Sequence, residues 1–132
     1  MENVTLLGIS AILGSGITFL FGGWTVSLTV LSIFMVIEII SWIIKNKINK
    51  EAVTSTIAFK QFYRKITIML VVILANAMDM LVGDGTPVFK SIAVMYYTGV
   101  EGLAIKEHMK ATGLSLPKQL TDKIEQLHSK EK

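Results

Sequence analysis

Residues 4–37 read VTLLGISAILGSGITFLFGGWTVSLTVLSIFMVI, and none of these 34 side chains carries a charge. As one helix the run would be roughly 50 Å long at about 1.5 Å per residue, well beyond a hydrocarbon core of about 30 Å. It must therefore break. Gly22-Gly23 is the place, because glycine takes up turn dihedrals freely and ends helices, and Trp24 beside it suits a membrane interface. The reading gives a first span over residues 4–21 and a second over 25–44.

Two further apolar runs follow, residues 66–82 and 88–105, each near the lower length limit for a crossing. Gly83-Asp84-Gly85-Thr86-Pro87 between them is a dense cluster of turn formers, so the pair reads as a tight helical hairpin. The expected fold is an all-α integral membrane protein: four transmembrane helices arranged as two helical hairpins, plus a short amphipathic C-terminal helix. The domain division follows, with a transmembrane domain over 1–105 and a cytoplasmic tail over 106–132.

Charge placement orients the chain. The loop from Lys45 to Lys65 holds six basic residues and the tail from Lys106 another six, while the turns at Gly22-Gly23 and Gly83 to Pro87 hold none. Basic loops stay on the cytoplasmic side, so both termini of this multi-pass chain are expected in the cytoplasm. Met1-Glu2-Asn3 lacks the basic start of a secretory signal, so the first apolar run is expected to be retained.

Composition excludes several classes. Of the 132 residues 52% are hydrophobic and only 17% charged, which is not the balance of a small soluble domain. The net charge of +3 comes from basic residues that flank apolar runs instead of lining one surface, so anionic lipid headgroups, not nucleic acid, are the expected counterpart. The absence of cysteine removes disulfides, thiolate metal sites and cysteine nucleophiles. His108 and His128 are accompanied by no Ser-His-acid arrangement or ligand spacing, so no catalytic, cofactor or metal site is expected, and Glu107-His108 reads as surface chemistry.

The tail is organised. Gly113 can cap the helix leaving the fourth span, and Ser115 with Pro117 can start another, along which Leu116, Leu120, Ile124 and Leu127 recur at helical spacing. Such a helix could lie on the membrane or on a neighbouring copy, or its stripe could simply be the apolar side of a solvated tail.

Two constellations stand out. Ser10, Gly14, Thr18 and Gly22 recur every four residues, a small-residue ridge that lets helix backbones approach closely in lipid, either between copies or against the second span of the same chain. Glu38, Asp79, Lys90 and Glu101 fall in or near the apolar runs, where ionisable groups face protein, water or each other. The hairpin puts Asp79 and Lys90 at similar depth, and a salt bridge is the simple expectation, with outward snorkelling of Lys90 as the alternative. Glu38 and Glu101 lie roughly 7 to 10 Å inside the cytoplasmic boundary. Lys90, Tyr97, Glu101 and His108 share one helix face that could line a helix contact or a wet lumen. Alternatively, Glu38 and Glu101 pair with Arg64, Lys65 or hydroxyls and fix the packing.

The run Tyr96-Tyr97-Thr98-Gly99-Val100-Glu101-Gly102-Leu103-Ala104-Ile105-Lys106-Glu107-His108, followed by Gly113-Leu114-Ser115-Leu116-Pro117-Lys118-Gln119-Leu120, resembles phage holins of the group that includes clostridial toxin-secretion holins. Glu101, Gly102, Glu107, Gly113, Pro117 and Leu120 match that pattern, as do Arg64-Lys65, Asp79 and Gly23-Trp24. The chain departs from it at Glu38 with Ser41-Trp42, where the family has an Asp followed by Thr-Gly, and at His108, where it has Asn. The resemblance covers about residues 22–127.

It implies a non-enzymatic protein that self-associates in the bacterial cytoplasmic membrane and opens lesions for an endolysin or a toxin, with an antiholin as a further partner. An antiholin or membrane scaffold, and a small-pore permeability protein, are the rival classes.

Overall fold

The computed structural model describes residues 2–129, and every regular element among them is an α-helix: α1 (Glu2–Phe21), α2 (Val26–Ile48), α3 (Ser55–Val82), α4 (Val88–Ala111) and α5 (Lys118–Ser129). Residues 130–132 of the expected tail lie outside the described residues. The first apolar run breaks at the glycine pair, where Gly22 and Gly23 adopt φ of 70° and 92°. Thr25 then caps α2 by accepting from the Leu28 N–H at 3.3 Å, and Thr54 caps α3 in the same way through Ile57. Gly83, in the left-handed region, ends α3 with its N–H on the Asp79 carbonyl.

Helix α3 starts eleven residues before the expected span, at Ser55 against Ile66. The stretch 45–65, read as a loop, is therefore mostly helix, with only residues 49–54 linking α2 to α3. Hydrophobicity sets where a helix enters lipid, whereas capping sets where it begins, and Lys60, Arg64 and Lys65 obscured that distinction.

Helices α1, α2 and α3 are long and apolar enough to cross a membrane by length and composition; α4 is not among them, so three candidate spans stand where four were expected. The cause lies in its position. Helix α4 is the middle of the assembly, packed by α2, α3 and α5. It therefore holds its polar residues inward, with Lys90, Thr98 and Glu101 all buried.

The exterior is apolar and the interior mixed. Leu28, Leu31, Met35, Ile68, Val72 and Val94 form a small apolar core, yet the buried set also includes Glu38, Ser41, Asn46, Lys65 and Asn76. Outside lie Leu6, Leu7, Ile12, Leu13, Val26, Leu70, Leu74 and many like them. A water-soluble protein rarely leaves so much contiguous apolar surface bare, but lipid accepts it. The chain is a membrane protein by this distribution as well as by its spans. Aromatic residues mark both ends: Trp24 donates Nε1–H to Thr29 at 2.9 Å, and Phe59 stacks on Tyr63 beside Lys60 and Arg64.

Candidate functional site

Polar groups buried between helices fall into two sets at opposite ends of the bundle. The first joins α2, α3 and α4. Periodicity aims Glu38 and Ser41 at α4 from the face that also carries Leu31 and Met35, and aims Lys65 inward with Ile68 and Val72. Lys65 Nζ donates to Glu101 Oε2 at 2.5 Å and stands 2.8 Å from Glu38 Oε2. The three residues are 7%, 0% and 1% exposed.

Gln61 Nε2 donates to Glu38 Oε1 at 3.2 Å, and Ser41 Oγ lies 2.9 Å from His108 Nδ1. Ser41 has one hydroxyl proton, which goes to the Glu38 carbonyl at 2.9 Å, so His108 Nδ1–H is the donor of the second bond. His108 Nε2 then faces Glu38 Oε1 at 3.9 Å. Burial holds the His108 imidazole below the ordinary histidine range, against the pull of the Glu38 carboxylate.

One buried ammonium thus stands between two buried carboxylates. Glu101 Oε1 has no hydrogen-bond partner among the described residues, and Glu38 Oε2 touches Lys65 only as an ion pair, off the hydrogen-bond direction. Such a cluster is held by its helices: separating any one of them strands a buried charge. Arg64, the other basic residue of the pair, is exposed and takes no part in this contact.

The second set lies at the turn end. Asn76 Nδ2 donates to the Leu20 carbonyl at 2.9 Å and to Phe19 at 3.4 Å, and Lys90 Nζ donates to the Gly23 and Gly22 carbonyls at 2.9 and 3.5 Å. The Leu20 carbonyl is one that the end of α1 leaves without an intrahelical partner, the Phe19 carbonyl also accepts the Gly22 N–H, and Gly22 and Gly23 belong to the turn. Asp79 accepts the Phe89 N–H at 2.7 Å and the Lys90 N–H at 2.9 Å, which caps α4. The expected Asp79 to Lys90 salt bridge is therefore replaced. The carboxylate sits on the backbone amides, and the ammonium reaches across to the α1–α2 turn.

The remaining candidates are placed as follows. Tyr97 is half-buried against the apolar core, edge-on to Tyr96. The face shared by Lys90, Tyr97, Glu101 and His108 looks into the bundle of a single chain. Ser10, Gly14 and Thr18 are exposed, and a Cβ on Gly14 would meet nothing within 4 Å, so no helix among the described residues covers the ridge. Gly22 is apart from it, in the turn, where a Cβ would collide with the Asn76 side-chain amide.

Gly113 follows the α4 cap with φ of 93°, Pro117 precedes α5, and Glu107 and Leu120 are exposed. Gly102 packs under Ile124 of α5, so the tail helix lies on α4 of its own chain. His108, read as surface chemistry, is a bonded member of the cluster. Sequence reasoning missed Asn76 and Gln61. The first is a lone amide inside an apolar run, which is a usable sign in lipid. The second sits among charged residues and gives none.

The sequence model of the bacteriophage holin family matches residues 15–129. The chain is 33% identical over 102 residues to a "Probable holin" of Bacillus phage phi105, covering 77% of this chain and 74% of that protein. It is 30% identical over 118 residues to the "Uncharacterized 14.9 kDa protein in nagH 3'region" of Clostridium perfringens, 89% of each. It is 28% identical over 130 residues to YqxH of Bacillus subtilis, 98% of this chain and 90% of that one. No solved structure matches. With its apolar exterior and a family match over most of its length, this chain belongs to the bacteriophage holin family.

Proposed function

We propose that the chain is a holin that crosses the bacterial cytoplasmic membrane four times with both termini inside, self-associates, and opens lesions through which an endolysin or a toxin leaves. In this reading residues 1–105 form the transmembrane domain and 106–132 the cytoplasmic tail. The observation that carries it is the surface: apolar on the outside of α1, α2 and α3, with the ionisable residues tied inward, in a chain akin to a phage protein titled a probable holin. The fourth crossing is supported by register. Lys90 meets Gly23 at one end of α2, Glu101 meets Glu38 through Lys65, and His108 meets Ser41 toward the other end, so α4 runs beside α2 at matching depth.

Glu38, Asp79, Lys90, Tyr97 and Glu101 hold the single chain together in this state. Assembly exchanges some of these polar contacts for contacts between copies or with a wet lumen. Arg64 and the basic tail hold the topology. Nothing in the scheme calls for catalysis or a cofactor.

Inducible expression in bacteria carrying a cytoplasmic reporter enzyme tests the proposal. A holin releases the folded enzyme and stops growth. Retention of the enzyme while ions leak identifies a small pore, and delay of another holin's lysis without leakage identifies an antiholin.

A further inference from the structure

Helix α5 lies antiparallel on α4, seated on two glycines. A Cβ on Gly99 would stand 2.6 Å from the His128 backbone nitrogen and 2.8 Å from its Cα, and one on Gly102 would stand 2.7 Å from Ile124 Cγ2. The His128 ring stacks on Tyr96 with centroids 5.0 Å apart, and Glu125 meets Lys106 at 3.4 Å. The hold is light: no residue of α5 is fully buried, and the ion pair is exposed.

Depth makes this position informative. Gly102 follows Glu101, so Ile124 is level with the Lys65 cluster. Ser129, five residues further on, is about 8 Å nearer the Gly83 to Pro87 turn. On α3 the apolar run begins at Ile66, at the cluster, and on α2 it extends past the cluster to Ile44. Either boundary of the hydrocarbon leaves the last turn of α5 inside it, with Ser129 roughly 8 Å deep or more. That turn carries Gln126, His128 and Ser129, with the exposed Glu125 one residue before it. Polar and ionisable side chains facing hydrocarbon are strongly disfavoured.

We infer that α5 is a latch: docked on the Gly99 and Gly102 face of α4, it is incompatible with full immersion of α2, α3 and α4 in a bilayer, and it must leave for the α3–α4 turn to reach the far side. The inference rests on the four-crossing reading above. Release needs only the linker 112–117, where Gly113 takes φ of 93° and a Cβ on it would meet nothing within 4 Å. It bares the glycine seat on α4.

The chain has no cysteine, so three can be placed without background: Thr86→Cys in the turn, and Lys106→Cys with Glu125→Cys across the dock. Spheroplasts are treated first with a membrane-impermeant maleimide, then with a short permeant bifunctional thiol reagent. The latch predicts molecules that carry the outside maleimide or the α4–α5 cross-link, not both. Adding Gly99→Ala, whose methyl meets backbone, moves the population toward the maleimide by about tenfold, the effect of an overpacked contact. Ile124→Asp, which leaves α4 untouched, does the same.

Cross-linked molecules that also carry the outside maleimide overturn the latch while leaving the four crossings standing. Absence of the maleimide in every variant overturns the four-crossing reading, and the latch with it. Absence of the cross-link in every variant overturns the docked state itself.

Discussion

The Lys65 ammonium sits 2.5 Å from Glu101 Oε2, joining α3 to α4 at a point where neither side chain meets solvent. Glu38 completes the contact from α2, which leaves the cluster with two carboxylates and one ammonium. Removing the ammonium is therefore the severest single change available. Lys65→Met leaves two buried carboxylates facing each other and is expected to destabilise the protein in micelles by about 3–5 kcal/mol. Glu101→Gln keeps a Lys65 to Glu38 pair and an acceptor for Lys65, so its loss is smaller, about 1–2 kcal/mol. Denaturant titration followed by circular dichroism checks the order, and equal losses would mean that Lys65 is not the shared partner.

At the turn end, Asn76 and Lys90 hold the terminal carbonyls of α1 and of the turn after it. Asn76→Ala leaves the Leu20 carbonyl without its partner and is expected to cost about 1–3 kcal/mol. Lys90→Met does the same to Gly23. Limited proteolysis in micelles should then cut the α1–α2 turn first in both variants. Unchanged cleavage would show that α1 is held by other contacts.

His108 gives the cluster a pH dependence outside the spans. Its imidazole titrates below the ordinary histidine range because burial penalises the charged form, with Lys45 and Lys65 adding to that and Glu38 opposing it. A depressed folded-state value means that its contribution is complete above the unfolded value, about 6.5, and is lost as pH falls through the folded one. Stability measured from about pH 7.5 down to about 5.5 should fall more in the parent than in His108→Gln. Parallel curves would remove His108 from the account.

Much of the architecture was legible in the sequence, for definite physical reasons. An uncharged run too long to be one crossing must break, and its only glycine pair shows where. The turn formers between residues 82 and 88 show a second break equally well. What stayed hidden was direction within the bundle. Sequence spacing put Asp79 and Lys90 together, yet could not show that backbone amides would take the carboxylate and a distant turn the ammonium. Lys65 was one of several partners the sequence offered Glu38 and Glu101, beside Arg64 and hydroxyls, and only tertiary packing selects it, turning Lys65 inward and leaving Arg64 exposed. The dock of α5 on Gly99 was invisible as well, since a helical glycine is equally compatible with lipid, a neighbouring copy or its own tail.

The central claim is that these intramolecular polar contacts are what assembly must give up, so that weakening them brings lesion formation forward. The direct measurement is the interval between induction and escape of a cytoplasmic reporter enzyme, for the parent and for Glu101→Gln at equal membrane abundance. Earlier escape in Glu101→Gln is the predicted result, and an unchanged or later onset would contradict it.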